Sequence, residues 1–180
     1  MRILFLDIDG VLNSTRWSMS RGLADYWPTS EVDPAAVAVL NEVISRTSAK
    51  IVVSSTWRLG HSLDQLRDIL VRSGLKDRGT IIGKTPDFSR IERHARPTPD
   101  GSFKRGHEIQ AWLSNFDHCR DDAPADVEHF AIVDDDEDMA HLDGNLVRTT
   151  SDDGLLLRHA MKLVELLGCV WTGRPYEDYA

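Results

Sequence analysis

The stretch that decides the fold reads Met1-Arg2-Ile3-Leu4-Phe5-Leu6-Asp7-Ile8-Asp9-Gly10-Val11-Leu12. Ile3 to Leu6 form a short continuous apolar run, the pattern of a strand buried on both faces. Two carboxylates follow at alternate positions, Asp7 and Asp9, and Gly10 then breaks the strand. In an open α/β sheet such a strand carries Asp7 into the crevice at its carboxyl edge, where ligands bind. Two anions this close repel unless a cation lies beside or between them.

Outward from that strand, apolar runs alternate with helical patterns. Asp33-Pro34 reads as an N-cap followed by a proline at the first helical position, and Val37, Leu40, Val43 and Ile44 continue a helix to about residue 47. Ile51-Val52-Val53 is a second buried strand, ending in Ser54-Ser55-Thr56-Trp57-Arg58. Leu63, Leu66, Ile69 and Leu70 mark a helix over about 62–73, with Gly74 as its closing glycine. Thr80 to Gly83 is a third strand. A helix from Gly106 or His107 to about Asn115 precedes His129-Phe130-Ala131-Ile132-Val133, the fourth strand, which runs into Asp134-Asp135-Asp136-Glu137-Asp138. Leu146-Val147 is a short fifth strand and Leu155 to Leu167 a closing helix. Residues 13 to 31 read as a loop whose aromatics, Trp17, Tyr26 and Trp27, pack beneath it or cover the crevice. Residues 84 to 105 read as a long loop, locally basic through Lys84, Arg90, Arg93, Arg96, Lys104 and Arg105. Strands alternating with helices predict one α/β domain over residues 1–180: a Rossmann-like three-layer sandwich with a parallel sheet of about five strands.

The 180 residues suffice for one sizeable core, and 41% hydrophobic with 28% charged residues argues against disorder. A formal net charge of −8 argues against a generally basic nucleic-acid-binding surface, though not against a local basic patch. The two cysteines, Cys119 and Cys169, have no CxxC spacing, so neither a disulfide scaffold nor a thiolate zinc site is expected. The seven histidines lack ligand spacing, and His107 and His141 are expected at the surface. No apolar run approaches the roughly 20 residues of a membrane span, and none resembles a signal peptide. A soluble protein in a reduced cytoplasmic setting, without a membrane partner, is the expectation.

The strand ends carry the chemistry. Strands one, two and four finish in Asp7/Asp9, Ser54/Ser55 and Asp134/Asp135, and in a parallel sheet these ends share one edge. Carboxylate and carbonyl oxygens suit Mg²⁺, completed by waters and a phosphate oxygen. A hydroxyl and a basic side chain would hold the other phosphate oxygens, with Lys104 or Arg105 supplying the cation beside a helix N-terminus.

This order of motifs (hhhh-Asp-x-Asp-Gly-Val, hhh-Ser, a basic residue opening a helix, hhhh-Asp-Asp) resembles the haloacid dehalogenase (HAD) superfamily over residues 1 to about 150. Val52-Val53-Ser54-Ser55-Thr56-Trp57-Arg58, Arg105-Gly106-His107-Glu108-Ile109-Gln110-Ala111-Trp112-Leu113 and Ile132-Val133-Asp134-Asp135-Asp136 are similar to the branch of HAD domains associated with RNA-repair proteins. The resemblance implies a Mg²⁺-dependent phosphomonoester hydrolase. Asp7 would be the nucleophile that forms an aspartyl-phosphate and Asp9 the general acid and base. The metal would lie on Asp7, the Asp9 carbonyl, Asp134 and Asp135. Ser54 or Ser55 would hold a phosphoryl oxygen and Lys104 or Arg105 would neutralise its charge, the branch favouring Arg105. Arg58 would contact substrate or pair with the acid cluster, and Asp138 is either a further site acid or a solvated helix start. With room for a minimal cap or none, an open site would admit a phosphorylated nucleotide or nucleic-acid end, with Trp17 or Trp27 available to stack a base. Transfer to an acceptor other than water, and a non-catalytic interaction domain, are the alternatives. The sequence leaves the oligomeric state and the physiological substrate open.

Overall fold

Ile3 and Phe5 point to one face of the first strand and Leu4 and Leu6 to the other, and all four are fully buried. In the computed structural model, which describes residues 1–22, 31–88, 104–115 and 126–172, this strand (β1, Arg2–Leu6) is the centre of a five-stranded, all-parallel sheet. Its neighbours are β2 (Lys50–Val53) and β4 (His129–Asp134); β3 (Ile81–Lys84) and β5 (Leu146–Arg148) form the edges, giving the order β3-β2-β1-β4-β5. Leu6 is in register with Val53 on one side and Val133 on the other.

The even and odd residues of β1 divide the core. Leu4 and Leu6 pack with Val37, Leu40 and Val43 of α2 (Pro34–Thr47), Leu66 and Leu70 of α4 (Leu63–Arg72), and Leu163 and Val164 of α6 (Leu157–Leu166). Ile3 and Phe5 pack with Ile109 and Trp112 of α5 (Arg105–Leu113), and Phe5 meets Trp112 edge to face at 5.4 Å. Helices therefore cover both faces, which is the expected three-layer sandwich. The chain builds outward through β1, β2 and β3, then returns to place β4 against the other side of β1. The carboxyl ends of β1 and β4 thus form the switch point of the sheet, where a crevice opens.

Local chemistry sets the element boundaries. Asp33 accepts the Ala35 N–H at 2.8 Å with Pro34 following, and Ser62 and Gln65 form a reciprocal capping box at the start of α4. Two short helices depart from the sequence reading. Thr15–Ser20 (α1) lies within the expected loop, started by Ser14, whose hydroxyl accepts the Trp17 N–H at 3.2 Å. Trp57–Gly60 (α3) is a single turn directly after the second strand's serines. Neither is long enough to display an apolar period. Tyr26, Trp27, Arg90, Arg93, His94, Arg96 and Cys119 lie outside the described residues. Lys84 of the basic segment donates to the Arg58 and His61 carbonyls at 2.7 and 2.9 Å. No helix among the described residues is long and apolar enough to cross a membrane.

His159 gives α6 a pH-dependent cap. Its Nδ1 accepts the Leu156 N–H at 3.1 Å, which only the neutral ring can do. Burial lowers its pKa, and Arg158 and Lys162 push the same way against Asp153. The folded value therefore lies below the unfolded value of about 6.5, so the cap's contribution is complete above that pH and is lost as pH falls through the folded pKa. Between about pH 7 and pH 5 the thermal midpoint of the wild type should fall more steeply than that of His159→Gln, which keeps an acceptor without titrating. Parallel pH profiles would contradict this role.

Candidate active site

The register that places Leu6 beside Val53 and Val133 brings the next residues of three strands together at one edge. Asp7 donates its N–H to the Val133 carbonyl at 3.0 Å, and Ser54 donates its own to Leu6 at 2.8 Å. Asp134 ends β4, and the Asp7, Asp134 and Asp135 side chains each offer an oxygen within 4.8 Å of the others. Burial pushes all three carboxyls upward in pKa; Asp7 further raises Asp134, and Asp135 raises both. Burial and mutual repulsion disfavour the charged forms of these three neighbouring carboxyls, a cost that a cation held between their oxygens would offset.

One cation is built in. Arg105, the first residue of α5, reaches Asp7 Oδ1 through Nη1 at 3.4 Å and Asp134 Oδ2 through Nε at 3.7 Å. Lys104 is the N-cap of the same helix, and no contact of its side chain with these acids occurs among the described residues. Lys104 has extended backbone ahead of the helix, and it is Arg105, the first helical residue, that faces Asp7. Asp138 fixes the helix start from across the fold: its Oδ2 accepts the Arg105 N–H at 3.0 Å and its carbonyl accepts the Gly106 N–H at 3.2 Å. A Cβ on Gly106 would lie 2.0 Å from the Met139 carbonyl oxygen, so this close approach requires glycine. Gly10 is constrained in the same way, with φ +69° and a would-be Cβ 2.1 Å from the Asp135 carboxylate.

The two serines differ. Ser55 hydrogen-bonds the Asp7 carboxylate, and its Oγ also accepts the Trp57 N–H at 3.3 Å. Ser54 Oγ is buried with no hydrogen-bond partner among the described residues, and so is Asp134 Oδ2. Oxygens of this kind beside a carboxylate cluster match the hard donor set of a divalent cation and a phosphoryl group.

Residues 3–160 match the family described as the HAD domain in Swiss Army Knife RNA repair proteins. The chain belongs to that family. No curated protein and no solved structure matches it.

In this HAD domain both oxygens of Asp9 are engaged. Oδ1 accepts from Asn13 Nδ2 at 2.9 Å and Oδ2 from Trp57 Nε1 at 3.0 Å, while Asn13 Oδ1 accepts the Gly10 N–H at 3.1 Å. Arg58 is buried and takes its ion-pair partner from α5, Glu108. It donates through Nη2 to Glu108 Oε2 at 2.5 Å and through Nη1 to the Ser55 carbonyl at 2.8 Å. Glu108 Oε1 accepts the Phe88 N–H at 3.2 Å. Burial lowers the Arg58 pKa and raises that of Glu108, each opposed by the partner's charge. This pair ties the Ser54–Arg58 turn to the helix that carries Arg105. His141 is exposed and bonds Gln110 at 3.0 Å, while His107 is half-buried. Trp17 is half-buried on α1.

Asn13, Trp57 and Glu108 carry no role in the sequence motifs. Glu108 stands three residues after Arg105, a spacing that puts both on one helical flank and was the available signal. Asn13 stands four residues after Asp9 in a turn-rich stretch, which is a weaker one.

Proposed function

We propose that this HAD domain is a Mg²⁺-dependent phosphomonoesterase acting on nucleotide or polynucleotide phosphate ends. The observation that carries the reading is Asp7: a buried carboxylate held by Arg105 and Ser55, with the unpartnered Ser54 hydroxyl and the Asp134–Asp135 carboxylates around it. Asp7, Asp134, Asp135 and the Asp9 carbonyl would hold Mg²⁺, which supplies charge neutralisation for the phosphoryl oxygens.

An Asp7 oxygen attacks phosphorus in line with the ester oxygen; the P–O ester bond breaks and Asp9 gives its proton to the departing alkoxide. Water then attacks the aspartyl-phosphate, gives a proton to Asp9, and releases inorganic phosphate with the Asp7 carboxylate restored. Ser54 donates to a phosphoryl oxygen, and Arg105 balances the charge that grows between Asp7 and phosphorus. The substrate class is supported by the family's place in RNA repair proteins and by Arg90, Arg93, Arg96 and Lys104 of the locally basic stretch of the sequence.

The test is phosphate release from a panel of an aryl phosphate, mononucleotides, phosphosugars and oligonucleotides phosphorylated at either end. Each is assayed with Mg²⁺ and with chelator. Release that requires Mg²⁺ and favours an oligonucleotide end is the expected result. Preference for a small metabolite would overturn the substrate class. Transfer only to an added acceptor would make the enzyme a phosphotransferase, and no Mg²⁺-dependent turnover on any compound would favour a binding role.

A further inference from the structure

Two carboxylates with different tasks stand two residues apart, and the same short turn after β2 reaches both. Ser55 bonds Asp7, and Trp57 donates its indole N–H to Asp9 Oδ2 at 3.0 Å. The Ser55 hydroxyl also accepts the Trp57 backbone N–H at 3.3 Å, so the two contacts share one rigid turn. Trp57 is itself fixed. Its ring stacks on His61 with centroids 5.7 Å apart and planes inclined by 27°, and the His61 N–H closes the turn onto the Trp57 carbonyl at 3.1 Å. On the opposite side, buried Asn13 donates to Asp9 Oδ1 at 2.9 Å.

We propose that Trp57 is a positioning residue that, with Asn13, fixes the plane of the Asp9 carboxylate for proton transfer to the leaving oxygen and from the attacking water. A carboxylate on one flexible bond rotates freely unless both oxygens are held, and proton transfer needs a heavy-atom approach of about 2.6–3.2 Å. An indole N–H is a donor only, so it can orient Asp9 without competing for its proton. Each Asp9 oxygen keeps a second lone pair, which leaves room for the proton that is given up in the first step and regained in the second.

The inference rests on the phosphomonoesterase reading, and its signature depends on the leaving group. An aryl phosphate has a leaving oxygen so weakly basic that it needs little protonation, so attack by Asp7 proceeds without a well-placed Asp9. Hydrolysis of the aspartyl-phosphate still needs Asp9 as base. Trp57→Phe keeps the ring over His61 and removes only the N–H. On an alkyl phosphate, kcat should fall on the order of tenfold to a hundredfold with KM nearly unchanged. On an aryl phosphate, the variant should show a stoichiometric burst of phenol followed by slow turnover. Trp57→Ala should lose kcat to the same degree as Trp57→Phe; if Phe restores activity that Ala loses, the ring's packing and not its N–H matters, and the proposal is wrong.

An activity-independent measurement separates this inference from the function it rests on. In ¹⁵N–¹H spectra, the Trp57 indole N–H should be protected from exchange in the wild type and become fast-exchanging in Asp9→Ala, with the other indole signals unmoved. Retained protection in Asp9→Ala would overturn the contact even where the wild type turns over. A wild type inactive on every phosphate would sink the phosphatase reading and, with it, Trp57's part in proton transfer, whatever the spectra show.

Discussion

Asp7→Asn should abolish phosphate release, by on the order of a thousandfold or more in kcat, while leaving the fold intact. The amide has the size of the carboxylate but no anionic oxygen to attack phosphorus. Its effect on stability should run the other way. Asp7 is 5% exposed, and burial together with Asp135 disfavours its charge despite Arg105 and Ser55. Removing that charge also relieves Asp134, whose carboxyl Asp7 pushes up. The thermal midpoint of Asp7→Asn should therefore equal or exceed that of the wild type, a pattern in which a site is strained for function. A midpoint well below the wild type would show that Asp7 holds the fold together, and the loss of activity would then carry no mechanistic meaning.

Glu108→Ala should be the most destabilising single change in the site region. The residue is 7% exposed and its partner Arg58 6%. Removing one member of a buried pair leaves an uncompensated charge and costs about 3–5 kcal/mol, here with the Phe88 N–H losing its acceptor as well. For a chain of this length that corresponds to a fall of about 10 °C in thermal midpoint. Arg58→Met combined with Glu108→Leu should be less destabilised than Glu108→Ala, because no charge is then left unpaired. A fall equivalent to under about 1 kcal/mol in Glu108→Ala would mean that the pair is solvated and is not the brace between the serine turn and α5.

The parallel sheet was implicit in the runs Ile3–Leu6, Ile51–Val53 and Ile132–Val133, because a continuous apolar run flanked by helices has few places to go other than the interior of such a sheet, whereas the order of its strands was not. The convergence of Asp7, Ser54 and Asp134 then followed from strand direction alone. Within each motif, chemistry depends on where a side chain points, and adjacent residues differ there most. Ser54 and Ser55 are separated by their partners, one unpartnered and the other bound to Asp7. Lys104 and Arg105 are separated by the helix start. Contacts made across long stretches of chain were not legible: Arg58 with Glu108, Asp9 with Trp57, and Asp138 capping a helix that begins 33 residues earlier. In isolation Asp138 reads either as a further site acid or as a solvated helix start, and only the docking of Gly106 against Met139 brings it over the start of α5.

The central claim is that the phosphoryl group passes through Asp7, and the most direct test is to catch it there. The wild type is mixed with Mg²⁺ and a phosphorylated substrate, quenched in acid during turnover, digested, and its peptides weighed. One phosphoryl group on the peptide containing Asp7, lost on treatment with hydroxylamine and absent from Asp7→Asn, is the predicted result. Steady phosphate release with no phosphorylated Asp7 peptide, and undiminished in Asp7→Asn, would contradict the account.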